Sequence, residues 1–337
     1  MPRELAPVSV VIPAYNAEAS IGRALESIAM QTLLPAEVIV VDDGSRDATV
    51  DAARAMQAGL EPARLVVITQ SNGGAGAARN RAIAEATQPY LAFLDADDEW
   101  LPEKMARSMD IMRDGDFVLV AHDYLDRTPA GDVHVDCRRR FEEGDDPFLS
   151  LYLKGYIPSI SVVTRSSAVI ACGGFDETLR NAQDFDLWLK LLAAPGARFT
   201  LFGEALARYH HDAANSIMSH TERRIACCRE IALRYVPALQ QRHVPVLPAV
   251  CRRLFYVYLE AMRAKPAGSL GFGLRLIADA VAVSVRYGFG GAAMTPRFQT
   301  VAAVLSGLWI FGVLAGYAAQ YRSYFGLILR ALGLDGA

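Results

Sequence analysis

Cysteine is sparse and unpatterned: five residues, Cys137, Cys172, Cys227, Cys228 and Cys251, never spaced as C-x-x-C. That excludes a disulfide framework and a thiolate zinc site, and a reducing cytosol fits best. No basic stretch leads into an apolar run of about 7–15 residues with a small-residue cleavage site, so no signal peptide is expected and the N-terminal region is placed in the cytoplasm. A Walker A loop is missing, and no self-similar period marks a solenoid or propeller. Charged residues make up only 21% of the 337 positions against 52% hydrophobic. Such a chain is globular rather than disordered or coiled coil, with material for one large domain or two ordinary ones.

The overall charge of −3 hides an asymmetry. Residues 1–215 hold 20 Lys and Arg against 32 Asp and Glu, a net of −12, whereas residues 216–337 hold 14 against 5, a net of +9. Two regions with different partners are expected. The basic one interleaves its arginines with long apolar runs, which suits an anionic membrane surface better than nucleic acid.

In the first region, near-continuous apolar runs alternate with helical patterns. VSVVIPAY precedes a helix from about Ser20, EVIVVDDG precedes one over Asp47 to Ala58, LVVITQ precedes one over Ala75 to Thr87, and YLAFLDAD follows. Such strands, separated by helices, predict a Rossmann-like α/β fold, a mostly parallel sheet with flanking helices. FVLVAHDYL and SISVVTRS read as further strands, Gln183 to Ala193 as a helix, and RFTLFGEALARYH as extended chain. After Asn215 the strand pattern stops and helical stretches follow at about 218–241, 246–265, 270–287 and 298–320, punctuated by proline.

Each of the first four strands ends in polar residues: Pro13-Ala14-Tyr15-Asn16-Ala17-Glu18, Asp42-Asp43-Gly44-Ser45, Asn72-Gly73-Gly74 through Arg79-Asn80, and Asp95-Ala96-Asp97-Asp98. In doubly wound sheets ligands bind beyond the carboxyl ends of the strands, so four such ends describe one crevice. Asp95 and Asp97 point the same way in an extended chain, and their crowding invites a hard divalent cation. Gly73, Gly74 and Gly76 with Arg79 could offer N–H groups and a positive charge to an anion. Gly74-Ala75-Gly76-Ala77-Ala78-Arg79 mimics a dinucleotide fingerprint, yet Arg79 stands where the third glycine belongs and the motif follows the third strand. An NAD-dependent oxidoreductase is therefore a distant alternative.

Taken together, VSVVIPAYNAEASIGRALESIAMQT, EVIVVDDGSRDAT, NGGAGAARNRAI and FLDADD resemble, in order and spacing, the family 2 glycosyltransferases of the GT-A fold, over about residues 7–215. The resemblance implies an inverting enzyme that uses a nucleotide-sugar donor, usually a UDP-sugar, with Mn²⁺ or Mg²⁺ on the diphosphate. Carried over, the backbone at Pro13 with Tyr15 and Glu18 would line the nucleotide pocket, and Asp42 or Asp43 would accept a hydrogen bond from uracil. Arg79 would hold base or diphosphate. Asp95 and Asp97 match the D-x-D pair, with Asp97 the preferred direct metal ligand and Asp95 reaching ribose, or the metal through water. Asn181-Ala182-Gln183-Asp184-Phe185-Asp186-Leu187-Trp188 resembles the segment that supplies the catalytic base, here Asp184, although Gln183 replaces the family's Glu. His211, or His210 beside it, resembles a late residue that approaches the donor phosphate. Trp100 and Trp188 would pack on sugar or fill the core, the latter being commoner for buried aromatics.

The expected organisation is a catalytic domain over residues 1–215 and a helical, basic, membrane-associating region over 216–337, held at the inner face of the cell membrane. Between Arg297 and Arg322 lie 24 uncharged residues, long enough to span a bilayer. A span at 300–319 would place Arg322 and Arg330 outside, against the positive-inside tendency, so an in-plane segment is an equal option. A soluble alternative packs these helices as a subdomain or a homodimer interface. Arg275, Asp279 and Arg286 share one stripe of the 270–287 helix with apolar residues elsewhere, a pattern suited to a helix lying in the interface. The expected acceptor is a lipid-linked or polysaccharide hydroxyl in envelope or exopolysaccharide assembly. The other reading is a non-catalytic nucleotide-sugar-binding or assembly protein on the same fold.

Overall fold

The computed structural model describes residues 4–141, 146–153, 156–210, 221–264 and 269–287. The chain runs β1 (Leu5–Ala14), α1 (Ile21–Ala29), β2 (Leu34–Asp42), α2 (Thr49–Ala55), α3 (Gln57–Leu60), β3 (Arg64–Thr69), α4 (Ala75–Glu85), β4 (Tyr90–Phe93) and β5 (Glu99–Trp100). It continues with α5 (Lys104–Asp114), β6 (Leu119–Thr128), β7 (Gly131–Val135), α6 (Pro147–Leu153), β8 (Val163–Arg165), α7 (Ser166–Ala171), α8 (Gln183–Ala193) and β9 (Phe199–His210). Four helices follow: α9 (Thr221–Arg234), α10 (Val236–Gln241), α11 (Val246–Ala264) and α12 (Ser269–Tyr287).

The described strands form one nine-stranded sheet in the order β3-β2-β1-β4-β8-β6-β9-β5, with β7 on β6. β1, β2, β3, β4, β6 and β9 run one way, and the short β5, β7 and β8 run against them. Val8, Val10, Val11 and Ile12 of β1 and Val38, Ile39, Val40 and Val41 of β2 are all fully buried. Burial of successive residues means both sheet faces are covered, and this is why these strands are continuously apolar. α1 presents Ile21, Ala24, Leu25 and Ile28 to this core, the three- and four-residue spacing of an amphipathic helix. At its end the Gln31 amide donates to Ser27 O (3.0 Å) and Leu101 O (2.9 Å) and accepts from Met105 N (2.9 Å), tying α1 to the start of α5.

The strand order contains the feature that makes the site. From β1 the chain steps outward to β2 and β3, then returns to β4 on the other side of β1. The loops leaving β1 and β4 thus part in opposite directions, the point at which open α/β sheets bind ligands.

Local chemistry altered two expected elements. The second helix stops at Ala55 and restarts as α3. SISVVTRS yields a strand only at Val163–Arg165, because Ser161 returns its hydroxyl (2.8 Å) and its N–H (3.0 Å) to Pro158 O and closes a 3₁₀ turn. FVLVAHDYL yields β6 as expected, but α5 and the short β7 that pairs back on β6 were not expected. The buried side of α5 is Met105, Met109 and Met112 with a fully buried Lys104, a face that does not stand out by hydropathy.

The described chain divides into two compact units, one within residues 1–219 and one comprising Tyr152–Lys154 with the chain from His220 onward. In the second, Tyr152 donates its hydroxyl to Ala232 O (2.7 Å). Asp279 of α12 receives Arg229 (2.8 Å) and the Tyr258 hydroxyl (2.7 Å), and Arg275 pairs with Glu222 (2.5 Å). Asp279 and Arg275 therefore face neighbouring helices, while Leu274 and Ile277 are exposed. No described helix is long and apolar enough to cross a membrane, and the 300–319 segment lies outside the described residues.

One buried carboxylate ties β1, β2 and the approach to β4. Glu37, 1% exposed, accepts from Ser9 Oγ (2.6 Å), Arg64 Nη1 (2.8 Å) and Thr87 N (3.0 Å). Glu37→Ala orphans the buried Ser9 hydroxyl, removes the acceptor of Thr87 N, and is expected to cost about 1–3 kcal/mol. Urea unfolding would show this as a lower midpoint at unchanged slope; a wild-type midpoint would mean the cluster contributes nothing.

Candidate active site

The four strand ends meet through their main chains. Asp43 N donates to Ala14 O (2.8 Å), Gln70 N to Asp42 O (2.9 Å) and Leu94 N to Val11 O (3.1 Å). The loops after β1 and β2 are further laced by side chains: Asn16 N to Ser45 Oγ (2.8 Å), Arg46 N to Asn16 Oδ1 (2.9 Å), Ala17 N to Thr49 Oγ1 (2.8 Å) and Ala48 N to Glu18 Oε2 (3.2 Å). Glu18 thereby caps the approach to α2. Pro13 lies in the last turn of pleat before this loop, and Tyr15 stands 46% exposed at its mouth.

The adjacent Asp42 and Asp43 are both buried yet differ in what they still offer. Asp43 Oδ1 accepts from Gly73 N (2.8 Å) and Gln70 Nε2 (2.8 Å), and its Oδ2 accepts from Gly74 N (2.7 Å). Both oxygens are thus engaged in shaping the loop before α4. Asp42 Oδ2 receives Ser45 N (3.3 Å), whereas its Oδ1 is buried with no hydrogen-bond partner. A buried acceptor in that state is costly unless a ligand donor reaches it. The glycine loop, expected to cradle an anion, has directed the Gly73 and Gly74 N–H groups onto Asp43, so the anion they serve is the chain's own.

Arg79, 7% exposed on the second turn of α4, joins the two halves of the site. Its Nη2 pairs with Asp95 Oδ1 at 2.6 Å, its Nη1 donates to Gln183 Oε1 at 3.4 Å, and its guanidinium lies 5.4 Å from the Phe175 ring centre. The other oxygen of Asp95 receives Ser159 Oγ (3.4 Å). Ser159 was not among the expected site residues. Asp97 is half-buried, and its main-chain oxygen accepts from Arg23.

Asp98 is fully buried and its Oδ1 accepts from His210 N (2.8 Å). Burial, then the Asp97 and Asp95 carboxylates, hold its carboxyl well above the ordinary range. Burial and the same three aspartates also push the Tyr209 phenol up. Two guanidiniums meet this cluster, Arg79 on Asp95 and Arg23 on the Asp97 main-chain oxygen, and Asp98 Oδ2 is a buried oxygen without a hydrogen-bond partner. Among the described residues no group of three or more His, Cys, Asp or Glu forms a ready metal cage. Mg²⁺ and Mn²⁺ do not require one: they accept one or two carboxylates and take their remaining oxygens from water and substrate phosphate. Asp97 with Asp95 fits that donor set.

Asp184 is the second residue of α8, which starts after Ala182 in a left-handed conformation (φ 55°). Asp186 on the same turn is fully buried and paired with Lys190 (3.1 Å), so the partly exposed Asp184 is the carboxylate presented at the helix start. The Arg79–Gln183 contact places it one residue from the network that holds Asp95. Trp100 and Trp188 are core: their indoles donate to Ile160 O (2.8 Å) and Ile157 O (3.2 Å). The His210 ring lies 3.6 Å from Glu99, and His211 is outside the described residues.

Comparison with known proteins accords with this geometry. The family model "Glycosyl transferase family 2" matches residues 9–169. The amylovoran biosynthesis glycosyltransferase AmsB of Erwinia amylovora is 32% identical over 214 residues, 60% of this chain and 69% of AmsB. Other curated relatives are spanned over less of their own length, 39% and 32% in two cases. Among solved structures, residues 1–349 of Staphylococcus aureus TarS with UDP-GlcNAc superpose with a TM-score of 0.66 at 20% identity, covering 93% of this chain and 91% of that one. The mannosyltransferase PcManGT of Pyrobaculum calidifontis, in complex with GDP-Man and Mn²⁺, gives 0.57 at 19% identity over 99% and 90%. At these identities the structures establish the common GT-A architecture. With the family model falling on the strands and loops that build the crevice, and AmsB matched over most of its length, the chain belongs to glycosyltransferase family 2.

Proposed function

We propose that this protein transfers a sugar from a UDP-sugar to a hydroxyl of a glycan or lipid-linked acceptor during exopolysaccharide or envelope assembly, inverting the anomeric centre. The observation that carries the reading is the span of Arg79 from Asp95 to Gln183, which brings the D-x-D carboxylates and the start of α8 into one network. Nucleotide-sugar chemistry needs both ends: charge compensation at a diphosphate and a base at an attacking hydroxyl.

Asp184 takes the proton from the acceptor hydroxyl as that oxygen attacks C1 from the face opposite the leaving UDP. A single displacement with one base inverts the centre, unlike a glycosidase, which flanks the bond with two carboxyl groups. Asp42, with its spare buried oxygen, is the acceptor for the uracil N–H, and Asp43 shapes the loop. Pro13, Tyr15 and Glu18 border the nucleotide pocket, Arg79 is the protein's own cation beside the diphosphate, and His211 is the further phosphate contact. Mn²⁺ or Mg²⁺, held by Asp97 with Asp95, supplies charge neutralisation on the diphosphate when bound. The net basic balance of residues 216–337 and the exposed Leu274 and Ile277 support an acceptor presented at an anionic membrane surface.

Calorimetric titration with UDP in Mn²⁺, repeated in excess EDTA and with GDP, tests the donor class. Binding selective for UDP and weakened by EDTA is expected; tight GDP binding instead would change the donor, and binding of neither would favour a non-catalytic role. Asp42→Ala should weaken UDP about tenfold, the loss of one hydrogen bond in a buried pocket. Asp184→Asn should keep UDP affinity and lower transfer by about 10²–10⁴-fold. NMR of the product anomer should show inversion, and retention would overturn the single-displacement mechanism.

A further inference from the structure

Position 183 departs from the Glu of the family resemblance, and its surroundings give the departure a physical sense. The Gln183 side chain, 7% exposed, faces two partners of opposite kind. Its Oε1 accepts from Arg79 Nη1 at 3.4 Å, and its Nε2 donates to Leu179 O at 2.5 Å. An ionised carboxylate accepts only. Placed here, it would keep the arginine but set its second oxygen against the Leu179 carbonyl.

The amide also needs room, and Gly76 provides it. A Cβ on Gly76 would stand 2.9 Å from Gln183 Nε2 and 3.2 Å from its Cδ, inside normal contact distance. Gly76 lies in α4 and is not among the residues with positive φ, so its backbone conformation gives no reason for glycine. Glycine inside a helix costs about 0.5–1 kcal/mol relative to alanine, which points to close packing as the reason for it.

We infer that Gln183 is a positioning residue: through Arg79, anchored on Asp95, it fixes the first turn of α8, and with it Asp184, relative to the donor carboxylates, and Gly76 is the slot that admits it. The inference rests on the reading of Asp184 as the base. Gln183 touches neither donor nor acceptor in this scheme, so its loss should misplace the base while leaving donor affinity in place.

The test uses release of UDP from UDP-GlcNAc, UDP-glucose and UDP-galactose with water as acceptor, measured for the whole chain and for Gln183→Glu, Gln183→Met, Gly76→Ala and the Gly76→Ala/Gln183→Met pair. Calorimetric UDP affinity and thermal melting accompany each variant. Each single substitution should lower kcat about tenfold to a hundredfold, as ångström-scale misplacement does. UDP affinity should stay at the wild-type value, and the double variant should be no slower than Gln183→Met alone, because both changes disrupt one contact. Should one variant fold poorly, the substitution in the other helix keeps the question open to refutation.

Wild-type kcat in Gln183→Met would overturn the inference, as would losses that multiply in the double variant. An equal fall in UDP affinity would make Gln183 a donor-site residue instead. If Asp184→Asn turns over at the wild-type rate, the base assignment is wrong and the inference falls with it. A wild-type chain that releases no UDP from any of the three donors refutes the UDP-sugar reading on which the inference rests.

Discussion

A guanidinium nearly sealed from water must have its charge answered by groups fixed in place, and Arg79 is answered by Asp95 on one side and Gln183 on the other. The rest of the site follows from that requirement. Asp95 is turned toward α4, with Ser159 on its second oxygen, and Asp97 supplies the other carboxylate of the D-x-D pair. The helix bearing Asp184 begins at Gln183, the residue whose side chain Arg79 contacts. Without a buried cation at this point, the aspartates after β4 and the start of α8 would have no common reference.

The sheet positions this arrangement by topology alone. Because β1 lies between β2 and β4, the loops carrying Tyr15 and Asp95 diverge while the loop carrying Asp42 and Asp43 lies alongside. The main-chain bonds Asp43 N to Ala14 O and Leu94 N to Val11 O extend the parallel ladder to the strand ends, so the polar residues start from fixed points. Affinity and chemistry are therefore left to side chains on rigid exits, the usual division of labour in open α/β sheets.

Much of this was legible from residue order. The runs of Val and Ile announced β1 and β2, because burial on both faces removes any need for alternation, and Gln183–Ala193 emerged as a helix with its predicted limits. Other features depend on contacts that sequence spacing does not encode. Asp42 and Asp43 are indistinguishable as letters; only the loop folded back from β3 shows that Asp43 has both oxygens engaged and Asp42 has one to spare. α5 escaped notice because its buried side is built from methionines and a lysine. The polar stripe of α12 was read as that of a helix lying in the membrane interface, whereas Asp279 and Arg275 pair with Arg229, Tyr258 and Glu222 within the helical unit.

The Asp43 carboxylate on the Gly73 and Gly74 amides has a consequence for how such motifs are told apart. A glycine-rich turn before a helix is a receptor for phosphate only while its amides await an external charge. Here an aspartate from the end of the adjacent strand, 30 residues earlier in the chain, acts as a built-in counterfeit of the phosphate, satisfying the turn permanently and from the inside. On the proposed reading, recognition of a donor diphosphate is thereby left to side chains, which can be exchanged one at a time. A scaffold wired in this way can change its donor by substitution while its loops stay as they are.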